Sequence, residues 1–165
     1  MQYQAPSGWQ TSTTIIVRPG GAPQFWKLRL ADKDARTYTY STNCYLKDGT
    51  LISTPPVSST ASAVIVSDPF LGAINLTLQP AFDPTAYTLA IVELSYQDAA
   101  HNYTFQTTVQ LAPGTAAPPK LRIPLIDRTL NTYQYRLTFI TTANQQRQGS
   151  YITATDPLLV VSPGS

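Results

Sequence analysis

Apolar and polar residues alternate with a period of two along most of the second half of the chain. The clearest example is the set Tyr133, Tyr135, Leu137 and Phe139, whose members are separated by polar or charged residues. A strand places such positions on one face of a sheet, whereas a helix would need a spacing of three to four residues. Similar strand-like segments lie at 74–79, 88–97, 103–111, 120–125 and 158–161. No segment shows a helical period, so the pattern predicts an all-β fold.

Two of these segments also indicate their place in a sheet. Residues 89–94 are apolar on both faces apart from Glu93, which is typical of a central strand. Pro124 lies inside segment 120–125 and indicates an edge strand, because proline has no N–H to donate to a neighbour. The polar stretch 143–149 is expected to form a turn.

The chain contains an internal repeat. Four blocks recur in the same order: TTIIVRPG at 13–20 with TTVQLAPG at 107–114, KLRL at 27–30 with KLRIPL at 120–125, TYTY at 37–40 with TYQY at 132–135, and VIVSDP at 64–69 with LVVSP at 159–163. The offset stays between 93 and 95 residues throughout. Such constancy indicates two copies of one structural unit.

The two copies differ in length. The first begins at Tyr3, which aligns near Tyr96, so segments 74–79 and 88–97 have no counterpart at the start of the chain. We therefore predict an incomplete β-sandwich unit over 1–69, without its first two strands, and a complete unit over 70–165. Such a gap would expose core residues and unpaired backbone groups.

Three arrangements would resolve this gap. The chain could be a fragment of a longer repeat protein, or its first part could join the second unit in one enlarged sandwich. Alternatively, a neighbouring subunit could donate the strands, as in β-augmentation. Head-to-tail donation does not close on itself, so it would build a filament or a ring.

Residues 120–142 resemble the second half of a fibronectin type III domain. Tyr133 leads into the alternating positions described above, as in the tyrosine corner of immunoglobulin-like sandwiches, where the phenol bonds to upstream backbone. The first copy repeats this pattern with Tyr38, and it has Cys44 where the second has Phe139. The resemblance implies tandem immunoglobulin-like, fibronectin type III-like antiparallel β-sandwiches. Domains of this kind usually serve as spacers, adhesion modules or structural subunits.

The composition narrows the possible functions. Only 12% of the residues are charged, about half the usual share, while 23 threonines and 12 serines supply a polar surface. The net charge of +2 comes with scattered basic residues, so we expect no nucleic-acid partner. No apolar run approaches twenty residues, so we expect no membrane span.

The cysteine count and the first residues bear on localisation. A single cysteine excludes an intrachain disulfide framework. The first ten residues, MQYQAPSGWQ, lack the basic and apolar regions of a signal peptide. We therefore expect an extracellular or particle-associated protein, of the virion or tail-like kind, that is released without a signal peptide or has lost one.

Residues suited to catalysis are few. One histidine, one cysteine and nine carboxylates leave little for an active site, so we expect no enzyme, no cofactor and no metal site. His101 is expected to be an exposed turn residue, since no second histidine or cysteine accompanies it as a ligand. Cys44 is expected to be a buried thiol. Asp34, aligned with Asp127, is expected to cap a turn, and Asp48 to start a hairpin turn.

Exposed aromatic rings would offer a different kind of site. Phe25 and Tyr45 take the opposite parity to their apolar neighbours, so they are candidate surface-binding aromatics for a glycan. Trp9 and Trp26 share parity with apolar neighbours and are expected to face the core. Further rings that could be exposed are Tyr3, Phe70 and Tyr151.

Two functional hypotheses follow. The first is a non-enzymatic structural subunit of an extracellular filament, virus particle or phage-tail-like assembly. It would associate with copies of itself, or with neighbouring structural proteins, through exposed sheet edges. The alternative is an adhesion or carbohydrate-binding module of a larger secreted or surface protein, in which Phe25 and Tyr45 would contact the glycan.

Overall fold

The computed structural model describes residues 1–30, 32–115 and 117–164. It divides into two compact units, Met1–Asp68 and Pro69–Ser165, which we call unit 1 and unit 2. The described residues are 45% strand and 2% helical, so the predicted all-β class is confirmed. Each of the four sheets takes its strands from a single unit. Among the described residues, no helix has the length and apolar character needed to cross a membrane.

Fourteen strands make up the described sheets. Those of unit 1 are β1 (Gln2–Gln4), β2 (Gln10–Ser12), β3 (Tyr38–Tyr40), β4 (Asn43–Tyr45), β5 (Leu51–Ser53) and β6 (Val57–Ser59). Those of unit 2 are β7 (Gly72–Pro80), β8 (Tyr87–Asp98), β9 (Tyr103–Leu111), β10 (Lys120–Leu125), β11 (Tyr133–Thr141), β12 (Gln146–Gln148), β13 (Ile152–Ala154) and β14 (Leu158–Val161). A short 3₁₀ turn, Ala99–His101, joins β8 to β9.

Unit 2 contains two sheets built around β7 and β8. In the first, β7 lies between β10 and β14. In the second, β8 lies between β9 and β11, while β12 and β13 both pair with the far side of β11. The pairing of β14 with β7 is parallel, which corrects the expectation of a purely antiparallel sandwich. These two strands are separated by the rest of the unit, so no short hairpin forces them to run in opposite directions.

The core of unit 2 draws on both sheets, which gives a β-sandwich-like arrangement. Period-two alternation places one face of each strand in the interior. The buried apolar residues include Ile74, Leu76, Leu78, Val92, Leu94, Tyr96, Ile123, Leu125, Tyr133, Leu137, Phe139, Leu159 and Val161. The predicted strand segments of this unit are confirmed, and β8 is central while β10 is an edge. The predicted turn at 143–149 is partly wrong, because 146–148 form β12.

The repeat is present in the pairing register as well as in the sequence. Tyr38 lies opposite Ser59 in unit 1, and Tyr133 lies opposite Ala154 in unit 2, each 95 residues further on. The β4–β5 and β11–β12 ladders show the same relation, with Cys44 opposite Ile52 and Phe139 opposite Arg147. The rings of Tyr3 and Trp9 lie 6.0 Å apart, and those of Tyr96 and Tyr103 lie 6.1 Å apart.

The tyrosine hydrogen bond also occurs in both units. The Tyr133 hydroxyl donates to the carbonyl of Asp156 at 2.8 Å, and the Tyr38 hydroxyl donates to the carbonyl of Ala61 at 2.8 Å. Both bonds span 23 residues, and both acceptors lie downstream of the tyrosine. This corrects the expectation of an upstream acceptor. Each bond ties the strand that carries the tyrosine to the last segment of its unit.

Candidate assembly surface

Three segments of unit 1 correspond to strands of unit 2 but are irregular themselves. We call residues 13–17, 27–30 and 64–66 the unpaired segments, because none of them forms a strand; within them, among the described residues, only Thr13 exchanges strand-like backbone hydrogen bonds, with Met1. Their counterparts are 107–111 in β9, 120–123 in β10 and 159–161 in β14. The same sequence pattern therefore forms strands in one unit and irregular backbone in the other.

The difference follows from which strands act as partners. In unit 2, β10 and β14 both pair with β7, and 107–111 pairs with 90–94 of β8. The described residues of unit 1 include no counterpart of β7 or of the first part of β8, because Tyr3 already corresponds to Tyr96. A strand forms only when its backbone groups find partners in a neighbouring strand. Each unpaired segment corresponds to a segment of unit 2 that pairs with β7 or with the first part of β8.

In each unpaired segment one apolar side chain is exposed although its counterpart in unit 2 is buried. The exposed fractions are 52% for Val17 against 1% for Leu111, 37% for Leu30 against 0% for Ile123, and 45% for Val66 against 0% for Val161. Apolar patches that a folded unit leaves uncovered commonly mark contact sites for another polypeptide. With these exposed side chains, the unpaired segments are the first candidate assembly surface.

The same gap explains two predictions about tryptophan that were wrong. Trp9, expected to face the core, is 51% exposed, and Trp26 is only half-buried. In unit 2 the counterpart of Trp9 is Tyr103, which is buried beside Tyr96 and Phe70. The expectation that Tyr3 could be exposed was also wrong, because Tyr3 is 1% exposed and donates to a carbonyl in its own unit.

The edge strands of the unit 2 sheets differ in how well they are protected against pairing with a further strand. Edge strand β10 carries Lys120, Arg122 and Pro124, and the edge strands β12, β13 and β14 have three or four residues each. Edge strand β9 has nine residues with no charged residue, proline or glycine. Within the described residues, β9 pairs with β8 alone. Charge, proline and shortness are the usual protections of an edge, so β9 is unprotected.

The outward face of β9 is polar but uncharged. Its exposed residues are Thr104, Gln106, Thr108 and Gln110. Hydroxyl and amide groups both donate and accept hydrogen bonds, so this face can pair with a copy of itself. Together with the outward backbone groups of residues 104–111, it forms the second candidate assembly surface.

The predicted surface aromatics both point to solvent. Phe25 is 83% exposed and lies next to the unpaired segment 27–30, while Tyr45 is 76% exposed at the end of β4. Where the structure is described, no ring contact joins these two side chains. Their role in binding a glycan stays a prediction.

A polar cluster that the sequence did not reveal lies on the outer face of the five-stranded sheet. The Arg136 guanidinium donates to both carboxylate oxygens of Glu93, from Nε to Oε2 at 2.6 Å and from Nη2 to Oε1 at 2.9 Å. This donation holds the pKa of Glu93 below its ordinary value. The Tyr151 ring centre lies 4.6 Å from the guanidinium carbon. Only the β8–β11 register, which the sequence leaves open, brings Glu93 and Arg136 together.

His101 lies in the turn between β8 and β9, as predicted, but it is half-buried rather than exposed. Its Nδ1 lies 2.8 Å from a carboxylate oxygen of Asp98, and its backbone N–H donates to the same carboxylate at 3.2 Å. Asp98 is fully buried, while the His101 side chain is 34% exposed. The pair closes the 3₁₀ turn between β8 and β9. In the described parts of the chain, no cluster of three histidine, cysteine or acidic side chains could hold a metal ion.

The remaining candidate residues, a cysteine and several aspartates, lie in strands and turns. Cys44 is half-buried in β4, which corrects the expectation of a buried thiol, because its sheet has only two strands. The carboxylate of Asp127 accepts the N–H of Thr129, two residues on. In unit 1 it is Asp32 that accepts the N–H two residues on, from Asp34, so Asp32 rather than Asp34 matches Asp127.

The predicted hairpin turn at Asp48 is present. Its carboxylate accepts the N–H of Thr50 at 2.9 Å, which lowers the pKa of Asp48. Gly49 takes a φ of +88°, a backbone conformation that favours glycine. This turn joins β4 to β5.

Comparison of the chain with protein-family models, with curated proteins and with solved structures found no match. A function is therefore inferred from the strands, edges and side chains described above.

Proposed function

We propose that this chain is a non-enzymatic structural subunit of an extracellular filament, virus particle or phage-tail-like assembly. We interpret its two units as fibronectin type III-like modules, an interpretation supported by the sandwich-like core of unit 2 and by the strand register that the two units share. The observation that carries the proposal is the unprotected nine-residue edge of β9. Free N–H and C=O groups along such an edge gain partners when a second strand is added.

The chemistry of β9 favours a second copy of this chain as its partner. Two copies of β9 that meet antiparallel around a two-fold axis bring no like charges together, and threonine and glutamine can pair across the ladder. The same arrangement of two β10 strands would bring Lys120 and Arg122 of one copy close to those of the other. Association is therefore expected through β9 and not through β10.

A two-fold contact alone gives a dimer, so an extended assembly needs a second, different contact. The unpaired segments of unit 1 offer one, since they carry exposed apolar side chains and lack strand partners. A subunit with two such surfaces can be joined to neighbours at both.

Light scattering over a dilution series, with circular dichroism on the same samples, tests this role. We expect the mean mass to rise with concentration while the β spectrum stays unchanged, because folded units join by their edges. A mass that stays monomeric from micromolar to millimolar concentration would contradict the proposal.

The alternative function is that of an adhesion or carbohydrate-binding module. It is favoured by the exposed rings of Phe25 and Tyr45, since aromatic faces bind the apolar faces of sugars. A glycan array tests it with the chain and with Phe25→Ala and Tyr45→Ala. Binding that either substitution removes would support this function, and an array without signal would contradict it.

A further inference from the structure

We propose that the outer face of the five-stranded sheet in unit 2 binds a neutral saccharide across strands β9, β8 and β11. Phe25 and Tyr45 belong to unit 1, so this site is separate from the surface aromatics considered above. Sugar binding here goes beyond the assembly role and does not require copies of the chain to associate.

The site is an open depression of about 300 Å³ on this face. That volume is at the lower end of the range for sites that hold a small molecule, about 300–1,000 Å³. Gln106 of β9 and Gln134 of β11 lie opposite Ser95 of β8 from its two sides, so a short side chain lies between two long ones. The lining residues are Glu93, Leu94, Ser95, Gln106, Gln134 and Tyr151.

The length of the site follows from the spacing of its strands. Neighbouring strands lie about 4.8 Å apart, so the row from Gln106 through Ser95 to Gln134 spans about 10 Å. Tyr151 comes directly before Ile152, which pairs with Tyr135 of β11, and its ring borders the depression on that side. A row of this length matches a disaccharide better than a single sugar ring.

The polar groups that line the depression have unused hydrogen-bonding capacity. Within the described residues, the side chains of Ser95, Gln106 and Gln134 form no hydrogen bond with the protein. Amide and hydroxyl groups both donate and accept, and so do the hydroxyls of a sugar. A saccharide can therefore satisfy both kinds of group at once.

The charge of the site favours a neutral ligand. Glu93 is the one charged residue among the described residues that line the depression, and the Arg136 guanidinium donates to both of its carboxylate oxygens. This compensation leaves little attraction for a phosphate or a cation. The bidentate pair is also ordered before a ligand arrives, and its carboxylate oxygens can still accept from a sugar hydroxyl.

The Tyr151 ring adds an aromatic surface beside these polar groups. The Arg136 guanidinium lies over one face of the ring at 4.6 Å from its centre, and the residue remains 51% exposed. The other face can pack against the C–H groups of a sugar ring. An aromatic face next to amides and a carboxylate suits a saccharide better than a peptide, which would need apolar pockets for its side chains.

A nuclear magnetic resonance titration of the full chain tests this site. Four neutral disaccharides (cellobiose, maltose, lactose and diacetylchitobiose) are added to about 50 mM at a fixed protein concentration, well above a millimolar dissociation constant. We expect at least one of them to shift the side-chain amide signals of Gln106 and Gln134 with saturation. Gln110 lies on the same face of β9 but outside the depression, so its side-chain signal should not move.

Substitutions show whether the ring and the amide contact the sugar. Tyr151→Ala and Gln134→Ala are each expected to weaken binding about tenfold, with the Gln106 signal as the readout. Their matched controls are Tyr45→Ala and Gln110→Ala, which remove an exposed ring and an exposed amide elsewhere and should leave the affinity unchanged. Tyr151 and Gln134 are exposed, so we expect both variants to fold, which circular dichroism checks.

The proposal would be overturned if none of the four sugars moved the Gln106 and Gln134 signals. Binding that Tyr45→Ala removes and Tyr151→Ala retains would also overturn it, because the sugar would then bind unit 1. Signals that move when the protein is concentrated, but not when sugar is added, would contradict the saccharide site and leave the assembly role in place.

Discussion

At the scale of single residues, the buried tyrosines have the clearest structural role. Tyr133 is almost fully buried, and its hydroxyl reaches the carbonyl of Asp156 near the start of β14. Tyr38 makes the equivalent bond to Ala61 in a more open environment, because it is only half-buried. The same bond in two environments allows its contribution to stability to be compared within one chain.

The substitution Tyr133→Phe removes this hydroxyl and leaves the ring in place. We expect the free energy of unfolding of unit 2 to fall by about 1 kcal/mol, which is typical for the loss of one partly buried hydrogen bond. Tyr38→Phe is the matched control and should cost less, because water can reach the freed carbonyl. Urea unfolding of both variants checks this, and an equal or larger loss in Tyr38→Phe would contradict the account.

Tyr133 also predicts how stability depends on alkaline pH. Burial raises its pKa from 10.0 to about 12. A group whose pKa is raised by folding contributes stability that is complete below pH 10 and is lost as the pH rises towards 12. We expect unfolding free energies measured between pH 9 and 12 to fall more steeply for the unaltered chain than for Tyr133→Phe. Parallel curves would show that Tyr133 does not titrate in this way.

At the scale of elements, the contrast between edge strands decides how the chain can associate. Strand β10 carries two cations and a proline, whereas β9 has nine uncharged residues. Gln106 lies on β9 and Gln134 on β11, and both lie opposite Ser95 of β8 from its two sides. Both glutamines therefore lie on the same face of the sheet, but Gln106 is on the edge strand and Gln134 is on an inner strand.

The pair provides a matched test of the β9 contact. Gln106→Lys places a charge on the edge, where a second copy of β9 would bring another lysine close, so we expect association to weaken at least tenfold. Gln134→Lys adds the same charge to an inner strand and should leave association unchanged. Light scattering at fixed concentration compares the two variants, and an equal effect of both would contradict a contact through β9.

The elements of unit 2 could be predicted from the sequence with few errors. Segments 103–111 and 158–161 are predicted as strands, and they form β9 and β14 with the predicted bounds. The parallel pairing of β14 could not be predicted, because alternation reports which face is buried and not which strand is the neighbour.

The errors in unit 1 have a different cause. Segments 13–17 and 27–30 carry strand patterns, but a pattern becomes a strand only where a partner is present. The repeat did reveal that two strands had no counterpart, which is the origin of the candidate site. The sequence does not show which strands lie next to β7 and β8. The structure shows these neighbours, and they determine which segments of unit 1 have no partner.

At the scale of the whole molecule, two units that share a strand register differ in how many of their matching segments form strands. Unit 2 buries its apolar residues between two sheets, while unit 1 exposes residues that occupy buried positions in unit 2. One chain thus combines a stable module with surfaces suited to other polypeptides. This combination is what we expect of a subunit whose role is to join neighbours.

The central claim is that copies of the chain associate through the free edge of β9. Amide hydrogen exchange of the full chain at low and at high concentration tests it most directly. We expect exchange in residues 104–111 to slow at high concentration, because outward N–H groups of β9 become hydrogen-bonded, while β10 stays unchanged. Exchange in β9 that is the same at every concentration, although the mass increases, would contradict the claim.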